Sequence, residues 1–280
     1  MHQPPPQGPP PGFSPQGAPG QLQQGQPQQG HPQQGHPQQP QGLPPDLAPV
    51  RHEVTHGPSF AMLRVDLGPG QTVVAEAGAM VARHQSVQMD VRMNANPSAG
   101  AWAKFVSFFI ALVRKIVGGE TFFVNHFSSP QGGSVWIAPT LAGQVTYRKL
   151  QGETITLSTG AFLASNGPLE INLKFGGLKS LLAKEGAFFL EVSGSGELWF
   201  TSYGGIHAVD VNGPFMVDNG HLVGFEGNLT FNIRSAGGGV MGFVASGEGL
   251  VCEFNGQGRV YLQSRNLGSL IGWLEPLLPG

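Results

Sequence analysis

From about Arg51 onward, apolar and polar residues alternate in short runs that are separated by glycine. Val, Phe, Thr and Tyr are frequent in these runs, which include AMLRVDL, TFFVNHF, SVWIA, TITLS, ELWFTS and RVYLQS. Alternation with a period of two is typical of half-buried β-strands. Strands this short and this frequent predict an all-β sandwich, barrel or prism.

One phrase occurs three times and predicts a repeated hairpin. It reads GETFFVNHFSSPQGGSVWIAP from Gly119, EGAFFLEVSGSGELWFTS from Glu185 and GEGLVCEFNGQGRVYLQS from Gly247. The segments SPQGG, SGSG and NGQG supply glycine where a hairpin turn needs a positive φ. The copies are roughly 62–65 residues apart, a spacing typical of internal structural repeats.

A second phrase also recurs and predicts a strand pair that ends in a corner. Its copies are LRVDLGPGQTVVAEAGAMVA, VTYRKLQGETITLSTGAFLA and HAVDVNGPFMVDNGHLVG. A glycine near the middle of each copy is expected to turn the chain. A second glycine (Gly78, Gly160 and Gly220) precedes an apolar pair (Met80–Val81, Phe162–Leu163 and Leu222–Val223). Such a glycine is expected to mark a β-bulge or a close approach of the backbone.

The order of the phrases predicts how the units are joined. We divide residues 51–280, taken as one domain, into a half unit at 58–93, units at 119–175 and 185–234, and a half unit at 247–266. A half unit leaves an open sheet edge, which proteins avoid. We therefore predict a closed pseudo-threefold β-prism or barrel in which the N-terminal and C-terminal strands complete one unit.

A helical insert is predicted at about residues 98–117, between the first two units, because its apolar positions follow a helical period. We expect it to pack on the β-core or in a subunit contact. The alternative is a membrane-interface helix in which Trp102 and Phe108 enter lipid while Lys104, Arg114 and Lys115 meet headgroups. The residues proposed for membrane or subunit contact are Trp102, Phe105, Phe108, Phe109, Ile110 and Leu112.

Composition narrows the class of protein. Residues 1–50 are almost entirely Pro, Gln and Gly, which predicts a disordered tail that is either a solvated spacer or a ligand for proline-binding modules. A net charge of −2 argues against nucleic-acid binding. No secretion signal is recognised, and no apolar run reaches the roughly 18 residues of a membrane span. We therefore expect a cytoplasmic protein, on the membrane surface if it meets a membrane at all.

The segments EAGAMVA, GGETFFVN, VDNGHLVGF and GEGLVCEFNGQGRVYLQSRN, in this order, carry a family resemblance over about residues 55–278. They resemble the family named for altered inheritance of mitochondria, member twenty-four, formerly a bacterial domain of unknown function. The resemblance implies a tripled β-fold similar to that of the tryptophan RNA-binding attenuator. It implies no enzyme activity, and it implies membrane organisation only through the mitochondrial relatives. The RNA-binding function does not follow from a shared fold.

Candidate chemistry is sparse. A cupin-like metal site would need clustered histidines, and His84, His126, His207 and His221 are isolated in sequence, although the last two could meet across a hairpin. Cys252 alternates with apolar neighbours and is expected to be a buried structural thiol. The remaining features have structural interpretations: Gly237–Gly242 as a link between repeats, Glu120, Glu185 and Glu248 as caps of turns, and Gln263–Asn266 as a tie to a neighbouring turn.

These observations predict a non-enzymatic β-scaffold or interaction protein, without catalytic residues, metal or cofactor. We expect a homo-oligomer that contacts a membrane surface peripherally and takes part in membrane organisation. The alternative is a small-ligand or metal-binding barrel of the cupin type.

Overall fold

The computed structural model describes residues 44, 47–93, 123–175, 188–235 and 250–277. Antiparallel strands make up most of these ranges, which confirms the predicted all-β class. Numbered in chain order, they are β1 Arg51–Thr55, β2 Met62–Leu67, β3 Thr72–Glu76, β4 Met80–Arg83, β5 Gln88–Met93, β6 Phe123–Ser128, β7 Gly133–Ile137, β8 Val145–Ser158, β9 Phe162–Asn166, β10 Leu169–Phe175, β11 Phe188–Thr201, β12 Ile206–Asn212, β13 Phe215–Asp218, β14 Leu222–Ser235 and β15 Leu250–Gln263. An α-helix, α1, follows at Leu267–Leu274.

The strands form three units of one plan. Unit one contains β2 to β7, unit two contains β8 to β11, and unit three contains β12 to β15. Each unit consists of three successive stretches of chain, each made of one or two strands. In the sheets, the third stretch lies between the first and the second. Thus β11 pairs with β8 on one side and with β9 and β10 on the other, and β15 lies between β14 and the pair β12 and β13. In unit one β7 lies between β2 and β4, and β6 lies between β3 and β5.

Neighbouring units are joined by strand pairing at equivalent positions. Strand β3 of unit one pairs with β9 of unit two, and β8 of unit two pairs with β14 of unit three. The resulting large sheet has the order β12-β15-β14-β8-β11-β9-β3-β6-β5, while β1, β2, β7 and β4 form a second sheet of four strands.

The predicted pairing of the two chain ends is wrong for the described strands. The first strand pair, β2 to β5, is completed by β6 and β7, and β15 pairs only with strands of its own unit. Each strand pair thus belongs with the hairpin phrase that follows it, and no half unit remains at either end. Within the described residues no closed barrel is found. The closed prism stays a prediction.

The predicted hairpins are also wrong, because the glycines in two of the three phrases bend a continuous strand and do not reverse the chain. Strands β11 and β15 run without interruption through SGSG and NGQG, where Gly194 and Gly256 have φ values of 112° and 120°. One positive-φ residue bends a strand, whereas the commonest two-residue hairpin turn needs two of them. Strand β8 likewise continues through Gly152, with φ 106°. In unit one, β6 and β7 pair with different partners in different sheets.

The recurring corner phrase forms a β-bulge in all three units. The register of the second stretch shifts between Met80 and Ala82 in unit one, at Leu163 in unit two and at Val223 in unit three. The bulge therefore lies three residues after the glycine that was expected to mark it. Of those glycines, Gly78 has a positive φ of 88°, while Gly160 has neither a positive φ nor a close neighbour.

The core consists of three clusters of buried side chains, one centred on each unit. The bulge residues cross between them. Leu163 of unit two belongs to the first cluster, and Val223 of unit three belongs to the second. Each junction between units is therefore made by strand pairing together with apolar side chains, the bulge residue among them, that enter the preceding core.

Two predictions lie outside the described residues. They are the helical insert at about 98–117, with all six of its proposed contact residues, and most of the Pro/Gln/Gly-rich tail at 1–50. The turn residues Glu120, Glu185 and Glu248 and the link Gly237–Gly242 also lie there.

Candidate functional site

A buried carboxylate connects the N-terminal segment to unit two. Glu197, on β11, accepts a hydrogen bond from the Val50 backbone N–H at 2.7 Å and another from the Tyr147 hydroxyl at 3.0 Å. The His52 ring packs against Tyr147 and Trp199, with ring centroids 4.6 and 5.0 Å apart. Both Glu197 oxygens therefore have partners, as a buried charge requires. The arrangement fixes the entry of the chain into β1.

A second carboxylate connects units two and three. Glu226, on β14, accepts from Arg148 Nη2 and from the Tyr261 hydroxyl, both at 2.7 Å. Arg148 lies on β8 and Tyr261 on β15, so the three side chains span three neighbouring strands. Charge-assisted hydrogen bonds of this length are stronger than neutral ones. The cluster reinforces the junction that β8 and β14 form.

The pKa of Tyr261 is raised to about 12, first by burial and then by the hydrogen bond and negative charge of Glu226. Its neutral form is therefore favoured more in the folded than in the unfolded chain, where the pKa is about 10. The stabilisation is fully present below pH 10 and is lost as the pH rises towards 12. We predict that thermal unfolding of the wild type shows this alkaline loss of stability. Tyr261→Phe should show a shallower loss between pH 10 and 12, and equal slopes would contradict the assignment.

The histidines of the alternative, cupin-like metal site are not brought together in the described structure. His207 lies on β12 and faces Leu262 of β15, and His221 immediately precedes β14 on the other side of β15. The two histidines are thus separated by a strand and do not meet across a hairpin. His221 Nδ1 lies 2.8 Å from the Gln263 carbonyl, and His84 Nδ1 accepts from the Ser134 N–H at 2.9 Å. Within the described ranges, no group of three or more His, Cys, Asp and Glu side chains could hold a metal ion.

Cys252 is fully buried on β15, in agreement with its predicted structural role. Burial, followed by the nearby charge of Asp218, raises the pKa of its thiol to about 12. A thiol with so high a pKa carries almost no thiolate at neutral pH and is a poor nucleophile.

Sequence reasoning missed one exposed apolar feature in the described part of the chain. We call residues 267–277, which contain α1 and one further helical turn, the C-terminal apolar segment. Ile271 is 55% exposed and Trp273 65% exposed, and no residue of the segment is buried. Leu267, Leu274 and Leu277 are also exposed. The signal was present in LGSLIGWLEPLL, whose only charged residue is Glu275.

This segment is held firmly at its base. Asn266 caps α1 by accepting from the Ser269 N–H at 3.3 Å, and its amide donates to Asp218 at 3.4 Å. The preceding backbone is bonded to the loop before β12 through Ser264 and Arg265. Gln263 also donates to the Gly220 carbonyl at 2.9 Å, which confirms the predicted tie to a neighbouring turn.

Gly220 makes room for this anchor. A Cβ atom there would lie 2.1 Å from the Asn266 side chain. The third copy of the corner phrase therefore carries a close approach, as expected for its glycine, and the feature that approaches is the base of the C-terminal apolar segment.

None of the helices in the described ranges combines the length and the apolar character that crossing a bilayer requires.

Comparison with known proteins places the chain in a family. Residues 52–265 match the family described as Mitochondrial biogenesis AIM24. The chain belongs to the AIM24 family. An uncharacterized protein of Streptococcus pyogenes serotype M6 is 30% identical over 233 residues, which cover 82% of this chain and 92% of the relative. The crystal structure of a Streptococcus pyogenes protein is similar with a TM-score of 0.67 and 27% identity, over 82% of this chain and 100% of that one. The resemblance expected from the sequence is thereby confirmed.

Proposed function

We propose that this AIM24-family protein is a non-enzymatic β-scaffold that binds membrane surfaces peripherally through its C-terminal apolar segment and takes part in membrane organisation. The observation that carries the proposal is the exposure of Ile271, Trp273 and their leucine neighbours on a helix anchored by Asn266. Monomeric soluble proteins rarely expose a contiguous apolar patch larger than roughly a few hundred Å² unless it is a binding site. The expected location is the cytoplasmic face of the inner membrane.

The side chains fit the membrane interface by type. Tryptophan is enriched where an apolar body meets lipid and a polar N–H meets water. Each large side chain of the segment contributes roughly 1–2 kcal/mol when it moves from water into the headgroup–acyl boundary. An anchored helix loses little further conformational freedom on adsorption, because its base is already fixed.

The charge of the C-terminal apolar segment favours membrane binding by apolar insertion over binding by electrostatic attraction. Residues 266–277 contain Glu275 and no Lys or Arg. Binding that depends on basic residues weakens with salt and requires anionic lipid, whereas apolar insertion does not. The proposal therefore expects binding to neutral phosphatidylcholine vesicles that persists at high salt.

Vesicle co-sedimentation of the full chain tests the proposal. We expect the double variant Ile271→Glu with Trp273→Glu to lower the fraction bound at least about tenfold, because buried charges oppose insertion. Leu173→Glu is the matched control, since Leu173 is an exposed leucine on β10, in a different unit. It should bind as the wild type does.

Two further results would overturn the proposal. One is a wild-type chain that does not sediment with any vesicle. The other is loss of binding in Phe108→Glu with Ile110→Glu while the Ile271 and Trp273 variant still binds, since this would assign the membrane contact to the insert.

A further inference from the structure

The chain builds the same junction twice. In each case the end of the first stretch of one unit pairs with the start of the second stretch of the next unit. Strand β3 pairs with β9, where Ala75 faces Ala164, and β8 pairs with β14, where Leu157 faces Gly224. In each case the adjacent bulge residue enters the core of the preceding unit. Leu163 is 0% exposed and Val223 is 1% exposed.

The two halves of a third such junction lie in unit one and unit three, and they are not paired with each other in the described structure. The second stretch of unit one begins with β4, which pairs with β7 on one side and with no described strand on the other. The first stretch of unit three ends with β13, which pairs with β15 alone among the described strands. Both are therefore strand edges in the described part of the chain.

Side-chain exposure identifies the same two places. The bulge residue of unit one is Val81, the counterpart of Leu163 and Val223, and it is 57% exposed. Met216 on β13 is 58% exposed. The third core cluster also has the largest number of partly buried apolar side chains packed against it in the described structure: Val209, Phe215, Leu229, Phe231, Ile233 and Leu262.

We propose that β4 of one molecule pairs with β13 of a second copy of this chain, and that Val81 enters the third core cluster of that copy. The two internal junctions define the register. Alignment of the corner phrases places Ala82 opposite Val217 and Arg83 opposite Met216, as Ala164 is opposite Ala75 and Ser165 opposite Val74. Pairing covers two strand edges that would otherwise be open to indiscriminate association.

The contact is heterologous, because each copy offers a β4 edge and a different, β13 edge. Such contacts produce rings when the rotation closes and open chains when it does not. The proposed pairing uses Met216 and Val217 of β13, whereas Asn266 at the base of the C-terminal apolar segment is bonded to Asp218 at the end of that strand. Substitutions at Val81 and at Ile271 and Trp273 therefore test self-association and membrane binding separately.

Disulfide cross-linking tests both the partner and the register. Residues that face each other in an antiparallel pair have Cβ atoms about 4.5–5.5 Å apart, close to the range that a disulfide spans. We mix full-length Arg83→Cys with full-length Met216→Cys and expect a cross-linked dimer that neither variant forms alone. Met89→Cys, at an exposed position of β5, replaces Arg83→Cys as the control and should give no dimer with Met216→Cys.

The chain that carries both cysteines separates the two sources of the β13 edge. Cross-linked oligomers support pairing between copies. A double variant that oxidises to a cross-linked monomer shows that the chain closes on itself and overturns the proposal, as does the absence of any cross-link.

A second measurement does not depend on cysteine geometry. Val81→Asp places a charge where the proposed contact buries an apolar side chain, so its dissociation constant for self-association should rise at least tenfold in sedimentation equilibrium. Met89→Asp is the control, and unchanged thermal melting shows that both variants are folded. A wild-type chain that stays monomeric at tens of micromolar, or equal self-association of Val81→Asp and the wild type, would overturn the proposal.

Discussion

Gly143→Ala is expected to lower the free energy of unfolding by at least about 3 kcal/mol, near the upper end for overpacking of a core. A Cβ atom at Gly143 would lie 1.8 Å from the backbone oxygen of Ser202. Gly143 also forms a bridge with Gly204 and accepts a hydrogen bond from the Ala61 N–H at 3.1 Å. The backbone must therefore shift where units one, two and three approach one another. Urea unfolding followed by circular dichroism measures the effect.

Gly160→Ala is the matched control for this prediction. Nothing lies within 4 Å of a Cβ atom at Gly160, and its φ is not positive. Alanine at such a site is neutral or stabilises the protein by about 0.4–1 kcal/mol, because the unfolded chain loses freedom. Equal destabilisation by the two substitutions would show that the close approach at Gly143 is not what makes glycine necessary there.

Val223→Ala and Val81→Ala are the same substitution at the same position of two repeats, yet we expect different outcomes. Val223 is buried in the second core cluster, and loss of its two methyl groups should cost about 2 kcal/mol. Val81 is exposed, so its substitution should change stability by less than about 0.5 kcal/mol. Both are measured by urea unfolding at a protein concentration too low for self-association.

The comparison distinguishes a structural repeat from a repeat of contacts. Similar losses in both variants would mean that Val81 is covered within a single chain, and the strand edge at β4 would then not be free. A small loss in Val223→Ala would contradict the role of the bulge residue as the link between neighbouring cores.

The sequence predicts the fold class and the repeat because both depend on local pattern. Alternating apolar residues occur wherever strands with one buried face occur, and the corner phrase recurs because each unit needs a bulge at the same place. The bulge itself was predicted, although the glycine that signals it lies three residues earlier.

The connections between strands could not be predicted in the same way. Gly152, Gly194 and Gly256 each have a positive φ, and the sequence does not distinguish a glycine that reverses a chain from one that bends a continuous strand. The division into units has the same difficulty. A strand pair could form a unit with the hairpin phrase before it or with the hairpin phrase after it, and the order of phrases along the chain is the same in both cases. Only the strand pairing among β2 to β7 decides between the two groupings.

The candidate surface was missed because its residues look like core. Exposed Ile271 and Trp273 are ordinary core residues in composition, and only the absence of a covering element in the described structure makes them a surface. Conversely, the sequence left open a metal site in which His207 and His221 meet across a hairpin. The structure separates these two histidines, because strand β15 lies between them.

Tryptophan fluorescence tests the proposed membrane contact most directly, because the two rival contact regions each carry one tryptophan. Trp273 lies in the C-terminal apolar segment and Trp102 in the insert. With neutral vesicles, the wild type should show a blue shift in emission that is lost in Trp273→Phe and kept in Trp102→Phe, while both variants still sediment with the vesicles. A shift that disappears in Trp102→Phe and persists in Trp273→Phe would contradict the account.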